Sequence, residues 1–264
     1  MQPSLGKSED DLLQLQPKTD SFWDIGNYKP VVKRYEDGAR LCSDLTKMVQ
    51  ERSDIEAKYA KHLQSWGHKW EDLVSRGPEY GSLEGGWKAC FQAAERVAEV
   101  HREMSEKLQG IAESVQSWKA EHYHKTIMHL KEAKKAEDGF FKAQKPWTKY
   151  LQRLHRSKKA FHSACKELDV HSSALQSAEG NSDTTRGQLV KMKEKKEQAQ
   201  RDVAKYREKY KEKLDDTCHY QSRYIEDMQL QFDKCQQFER ERMLYFKSIM
   251  CNMKGTVDTT GNPK

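Results

Sequence analysis

Residues 131–168, KEAKKAEDGFFKAQKPWTKYLQRLHRSKKAFHSACKEL, contain basic and apolar residues that each recur at steps of three and four. The two series are offset by about two residues, which is about 200° around an α-helix, so they occupy opposite faces. This pattern predicts a long helix with one face packed on other helices and one face turned toward an anion or water. The apolar series is Phe140, Trp147, Leu151, Leu154, Phe161, Cys165 and Leu168; the cationic series is Lys131, Lys135, Lys142, Lys145, Lys149, Arg153 and Arg156.

The composition of the whole chain is typical of long, one-sided helices. Of 264 residues, 33% are charged and 36% hydrophobic, and the mean hydropathy is −1.03. Such a polar chain suits helices that bury one stripe and solvate the rest. Neither glycine nor proline occurs between Gly187 and Gly255, and no strand-like alternation persists. An all-α fold follows.

Glycines, prolines and polar clusters divide the chain into three long predicted helices, at about 30–76, 82–176 and 188–253. Residues 1–20 are expected to be a disordered acidic lead, 21–253 a helical domain, and 254–264 a disordered tail. Bends are expected at Pro146, which lacks a helical hydrogen-bond donor, and at 122–130, where the apolar period falters. Helices of this length predict an elongated antiparallel bundle of long kinked helices.

The charge of the chain is unevenly distributed. Its net charge is +6, yet residues 125–166 contain twelve Lys/Arg against three Asp/Glu, and residues 191–213 contain ten against five. The remainder is therefore acidic. A basic zone in an otherwise acidic molecule favours a directed contact with an anionic partner. The few acids near this zone, Glu132, Glu137 and Asp138, are expected to pair with neighbouring lysines.

Several classes of function lack support in the sequence. No apolar run is long enough to span a bilayer, and the N-terminus does not read as a signal peptide. The six scattered cysteines predict buried, reduced thiols. His122 and His124 do not share a helical face, so no metal site is expected. No phosphate-binding loop, acid pair or activated nucleophile is visible. We therefore expect no enzyme, no cofactor and no small-molecule substrate.

A thin three-helix rod would leave apolar stripes, including several aromatic residues, partly exposed. Burying these stripes against a second copy predicts a homodimer. A kinked rod doubled by a two-fold axis would form an arc.

Several segments resemble the F-BAR domain of the syndapin, or PACSIN, family. The matching segments are DSFW at 20–23, GNYK at 26–29, QER at 50–52, GPEYG at 77–81, Trp87, AEDGF at 136–140, KAQKPW at 142–147 and CQQFE at 235–239. The resemblance covers about residues 20–250, in order and at similar spacing. It implies a crescent-shaped homodimer that binds anionic membranes, senses or generates curvature, and serves tubulation, endocytosis and actin-linked membrane remodelling.

The resemblance also implies where lipid would bind. The concave face would carry Lys131, Lys135, Lys142, Lys145, Lys149, Arg153, Arg156 and Lys159, and the dimer tips would carry Lys191, Lys193, Lys195 and Lys196. The simpler alternative is that these side chains only solvate a helix. The implied partners are phosphatidylserine and phosphoinositides. The implied location is cytoplasmic, peripheral on the plasma membrane and endocytic membranes.

Syndapins carry a protruding loop with an apolar tip, and Ile127 and Met128 match that tip. The family has Gly-Gly-Phe after the methionine, whereas His129 and Leu130 follow here, without glycine. The resemblance implies that Ile127 and Met128 wedge into the lipid interface. The alternative is that they are ordinary core residues of the bundle.

Two other functions stay open at this point. The chain could be a structural coiled-coil adaptor without direct lipid binding. It could also bind nucleic acid, although few aromatic residues interleave with the basic ones, which disfavours that class. Family members continue with another helix, a linker and a Src-homology-3 domain, and the match suggests an excised or truncated segment. Dynamin and actin regulators would therefore be reached only through those other regions.

Overall fold

The computed structural model describes residues 21–181 and 184–258, and these residues form an all-α structure, as the sequence predicts. The four helices are α1 (Lys29–Arg76), α2 (Gly81–His122), α3 (Lys131–Glu179) and α4 (Arg186–Val257). The chain divides into two compact units. Unit 1 contains the described residues of 1–30 and 136–233, and unit 2 contains those of 31–135 and 234–264.

The expectation of three long helices, with one spanning 82–176, is wrong. That region holds two helices, because the backbone at Tyr123 is extended (φ −127°, ψ 99°) and residues 123–130 form a tight loop. The interruption falls where the apolar period falters. Helix α3 continues through Pro146, and the bend expected there stays a prediction.

The C-terminal end of the helical domain differs from the predicted one. The expected tail begins at Lys254, but α4 continues to Val257, so residues 254–257 are helical. The expected disordered lead at 1–20 and residues 259–264 lie outside the described part of the chain.

In unit 2, α1 and α2 are antiparallel, because later residues of α1 contact earlier residues of α2. The Ser53 hydroxyl donates to the Ser105 carbonyl (2.8 Å), and the Ser105 hydroxyl donates to the Ser53 carbonyl (2.9 Å). Further along, the Trp66 ring packs edge-on against Phe91. The core of this unit consists of Ala39, Cys42, Leu45, Val49, Met104, Leu108, Ile111, Ala112, Val115, Tyr123 and Ile249.

The C-terminal part of α4 completes that core. The ring of Trp118 on α2 stacks on Tyr245 of α4, with centroids 4.7 Å apart and planes 8° apart. Nearby, Gly38 of α1 is buried, and any Cβ there would collide with the hydroxyl of Tyr123. The close approach of the chain at residue 38 therefore requires glycine.

In unit 1, α3 and α4 pack antiparallel through aromatic pairs. Trp147 stacks on Tyr224, with centroids 4.9 Å apart, and Phe161 stacks on Tyr210 at 6.1 Å. Every member of the predicted apolar series of α3 is buried or half-buried. The side of α3 that packs is therefore the side that the sequence predicts.

Unit 2 leaves a row of large apolar side chains of α1 exposed in the single chain. This row consists of Met48, Ile55, Tyr59, Trp66, Trp70 and Leu73. Several large apolar side chains exposed along one helix are typical of a protein–protein contact.

The expectation for the cysteines is wrong for half of them. All six are free thiols, but only Cys42 and Cys235 are buried and Cys165 is half-buried. The remaining three, Cys90, Cys218 and Cys251, are exposed. A helix carries apolar residues over a wider arc than its neighbours cover, so an apolar position does not guarantee burial.

Candidate functional site

Six basic residues of α3 within unit 1 form an exposed cationic face opposite the packed one. Within residues 139–166 the sequence contains no Asp or Glu, so no carboxylate of this segment can neutralise them. Among the described residues, none of these basic side chains forms an ion pair. All six are exposed: Lys142, Lys145, Lys149, Arg153, Arg156 and Lys159.

Two further cations of the predicted face, Lys131 and Lys135, belong to unit 2. Both lie in the first two turns of α3 and both are exposed. Within the described part of the chain, neither forms an ion pair. Each unit therefore presents unpaired cations of α3 to solvent.

The packed side of α3 in unit 1 is held by the segment 21–28. The ring of Phe140, which is fully buried, stacks on Tyr28 (centroids 5.0 Å apart) and meets the edge of Phe22 (5.9 Å). These contacts fix the rotation of α3 about its axis. Because Lys142 lies about 200° from Phe140 around the helix, the same rotation turns it toward solvent.

The buried Gln144 adds directional bonds to this packing. Its Oε1 accepts from the Gly26 N–H (3.0 Å), and its Nε2 donates to the Asp24 carbonyl and to the Tyr224 hydroxyl (both 3.1 Å). The Tyr224 hydroxyl in turn donates to the Trp23 carbonyl (2.6 Å). Burial raises the pKa of Tyr224 to about 12. No local sequence pattern predicts this cluster, because its members lie up to 201 positions apart.

The loop 123–130 carries the predicted apolar tip. The relative exposure is 101% for Ile127 and 81% for Met128, so neither is a core residue of the described chain. A bridge between Lys125 and Leu130 closes the loop, and the Lys131 N–H donates to the His124 carbonyl (2.8 Å). The loop protrudes although it contains no glycine.

The base of this loop is clamped by Glu132, which was expected to pair with a lysine. That expectation is wrong: its carboxylate accepts from the His124 N–H (3.0 Å) and lies 2.7 Å from His124 Nδ1. Partial burial disfavours the ionised carboxylate, but the bonds from His124 outweigh it and hold the pKa of Glu132 below its usual value. The turn of the chain brings His124 to Glu132, and no helical spacing could predict this.

The basic residues near the start of α4 form a second group in unit 1. Lys191, Lys193 and Lys195 are exposed, whereas Lys196 is half-buried. Lys193 also lies 3.5 Å from the Glu179 carboxylate at the end of α3. This group is therefore less free than the face of α3.

The described residues contain no cluster of three or more metal-binding side chains. No described helix combines the length and apolarity that crossing a membrane requires.

Comparison with known proteins identifies the fold. A crystal structure of the EFC/F-BAR domain of Drosophila Syndapin/PACSIN superposes with a TM-score of 0.78 at 41% sequence identity, covering 92% of this chain and 86% of that chain. The chain belongs to the syndapin/PACSIN family of F-BAR proteins. The profile of the Fes/CIP4, and EFC/F-BAR homology domain matches residues 27–103. The structure of the Imp2 F-BAR domain, at 18% identity and a TM-score of 0.58, shares the fold.

Two curated relatives of this syndapin/PACSIN chain carry the family name in full. "Protein kinase C and casein kinase substrate in neurons protein 1" of Danio rerio is 46% identical over 244 residues, which is 92% of this chain and 55% of that protein. "Protein kinase C and casein kinase substrate in neurons protein 2" of Gallus gallus is 40% identical over 253 residues, covering 95% and 56%. The chain thus spans about half the length of the curated relatives that it matches.

Family membership settles the general class of function. F-BAR domains form homodimers and bind membranes as peripheral scaffolds related to membrane curvature, and they are not enzymes. The sequence prediction of the family, the fold class and the absence of catalysis is therefore confirmed.

Proposed function

We propose that this chain binds anionic phospholipid through the cationic face of α3 and senses or generates membrane curvature. The observation that carries the proposal is that none of the six exposed cations of this face in unit 1 pairs with a carboxylate of the described chain. These six are Lys142, Lys145, Lys149, Arg153, Arg156 and Lys159. Cations without partners gain the most when they approach a negatively charged surface. Lys131 and Lys135 extend the same helical series in sequence.

The energy available to such a face is sufficient without any binding pocket. A basic residue near an anionic leaflet contributes about 1 kcal/mol, and this attraction decays within a Debye length of about 8 Å at physiological salt. Each protomer carries the eight predicted cations of α3, and a dimer would present both sets. Together they would bind a headgroup layer firmly. Phosphatidylserine and phosphoinositides are the lipids that this chemistry favours.

Three further features support the proposal. The tip formed by Ile127 and Met128 offers apolar surface for the lipid interface. The group at 191–196 would add a second contact with headgroups. The exposed apolar row of α1 suits a second copy of the chain, which would double the number of cations on one membrane.

The cellular role proposed is peripheral binding on the cytoplasmic side of the plasma membrane and of endocytic membranes. There the domain would serve tubulation, endocytosis and actin-linked remodelling. The chain spans about half the length of the curated relatives that it matches. Recruitment of dynamin and actin regulators is therefore assigned to regions outside the match.

The test is cosedimentation with vesicles of phosphatidylserine and phosphatidylcholine, followed by electron microscopy of the lipid. The variant Lys142→Glu, Lys145→Glu, Lys149→Glu should lose binding by at least tenfold, since it changes the charge by six units per protomer. The matched control reverses three exposed lysines of α1, at 33, 58 and 61, with the same charge change.

Raising the salt concentration from about 0.1 M to 0.5 M should also weaken binding of the wild-type protein, because salt screens the same charge attraction that the variant removes. Equal pelleting of both variants would exclude the cationic face of α3 as the binding surface. Absent binding of the wild-type protein to neutral and acidic vesicles alike would favour the adaptor function. Spherical vesicles that persist despite binding would reduce the role to attachment without sculpting.

A further inference from the structure

The tip of the loop 123–130 is a tight turn of an unusual kind. The Thr126 N–H donates to the His129 carbonyl (2.8 Å), which places Ile127 and Met128 at the two central positions. Two-residue hairpin turns normally need a positive φ at one or both of these positions. In the described chain no residue other than glycine has a positive φ, so this turn lacks the backbone geometry that usually closes a hairpin.

The hydroxyl of Thr126 supplies the missing closure. It donates to the His129 carbonyl (2.7 Å) and accepts from the His129 N–H (3.1 Å). In an ordinary hairpin that N–H would donate to a backbone carbonyl of the opposite strand. Here one side-chain oxygen serves both polar groups of His129.

The bond from the His129 N–H to the Thr126 hydroxyl matters when the tip leaves water. An N–H without a partner in water bonds to solvent at little cost, but the same group in a lipid interface is a buried unsatisfied donor. Any closed, pre-ordered loop also avoids the entropy of ordering on insertion. The clamp between Glu132 and His124 fixes the base of the loop, and the threonine hydroxyl closes its end.

We propose that Thr126 is a positioning residue for membrane insertion: its hydroxyl keeps the backbone of the tip satisfied and closed while Ile127 and Met128 enter the lipid interface. The inference rests on the proposed function, because it requires the tip to meet a membrane. It assigns to Thr126 a role that depends on the apolar tip and is independent of the basic face.

The experiment compares the full chain with Thr126→Val, which keeps the shape and removes the hydroxyl, and with Thr126→Ser, which keeps the hydroxyl. Partitioning is measured on phosphatidylserine/phosphatidylcholine vesicles at a salt concentration that suppresses most charge attraction. The valine variant should partition about tenfold more weakly, as expected for one unsatisfied amide in the interface, and the serine variant should match the wild type. Thermal unfolding in the absence of lipid should be unchanged in both.

A second comparison separates positioning from a general effect on the loop. The same valine substitution is made in a chain whose tip is already truncated, Ile127→Ala with Met128→Ala. There it should have no effect, because nothing apolar remains to insert. An equal loss in both backgrounds, or a loss in the serine variant, would overturn the proposal.

The outcomes also distinguish this inference from the proposed function. If charge reversal on α3 abolishes binding while Thr126→Val binds like the wild type, the basic face stands and the role of Thr126 is refuted. If the wild-type chain does not bind acidic vesicles, both are refuted.

Discussion

Truncation of the apolar tip, Ile127→Ala with Met128→Ala, should weaken membrane binding without changing the stability of the protein. The two side chains are 101% and 81% exposed, so the folded chain loses almost no buried apolar area when they are shortened. Each substitution removes three heavy atoms. At about 0.8 kcal/mol for each methylene, complete transfer of the deleted groups into hydrocarbon would be worth about 5 kcal/mol.

Insertion at an interface removes only part of that surface from water. If half of it is buried, the loss is about 2.4 kcal/mol for each protomer, or about sixtyfold in the partition coefficient. The effect should persist at high salt, because it arises from apolar transfer and not from charge. The loss of binding caused by charge reversal on α3 should instead shrink at high salt, because salt screens the attraction that the variant removes.

The assay is titration of vesicles of fixed composition at about 0.1 M and 0.5 M salt, with urea unfolding of each variant measured in parallel. A matched control shortens two exposed apolar residues of unit 1, Val170→Ala with Leu230→Ala. Unchanged partitioning at high salt in the tip variant would refute the insertion argument. A lowered urea midpoint would refute the claim that the tip is free of the core.

Two further predictions concern stability and its dependence on pH. Gly38→Ala should lower the free energy of unfolding by about 1–3 kcal/mol, because the new Cβ would meet the hydroxyl of Tyr123. Gly110→Ala, in a helix with open space around it, should raise the free energy of unfolding by about 0.5–1 kcal/mol. Urea titration of both variants checks these opposite signs, and two equal shifts would contradict them. The hydrogen bond from Arg242 lowers the pKa of Glu239. The pair therefore stabilises the fold at pH values above the ordinary carboxyl pKa, and this stabilisation is lost as the pH falls through the lowered pKa of Glu239. Arg242→Met should therefore flatten the fall of the urea midpoint between about pH 5 and pH 3, and an unchanged slope in that variant would show that the pair is not linked to folding.

The helical content and the two faces of α3 could be predicted because each depends on residues close together in sequence. The spacing of Phe140, Trp147 and Phe161 places them on one side of the helix whatever they pack against. The same spacing places Lys142 and Lys149 on the other side. The packed apolar side and the exposed cations of the structure agree with this. That the face binds lipid remains a proposal.

The break between α2 and α3 was only partly predictable. The apolar period falters at 122–130, and the sequence indicates a bend there. It does not indicate that the chain stops being helical at Tyr123 and returns through a closed loop. Hydrogen bonds of the loop, such as that from Thr126 to His129, replace helical ones, and a periodicity argument does not count them.

By itself, the sequence determined that this protein is a set of long helices, that α3 has opposed cationic and apolar faces, and that the chain resembles the syndapin F-BAR domain. Only the tertiary structure decided that Ile127 and Met128 stand in solvent and that Glu132 holds His124. It also decided that Gln144 joins Tyr224 to the segment 21–28. The physical reason is the range of the interactions. Helix faces follow from a repeat of 3.6 residues, whereas a closed loop and a buried polar cluster need partners that folding alone brings together.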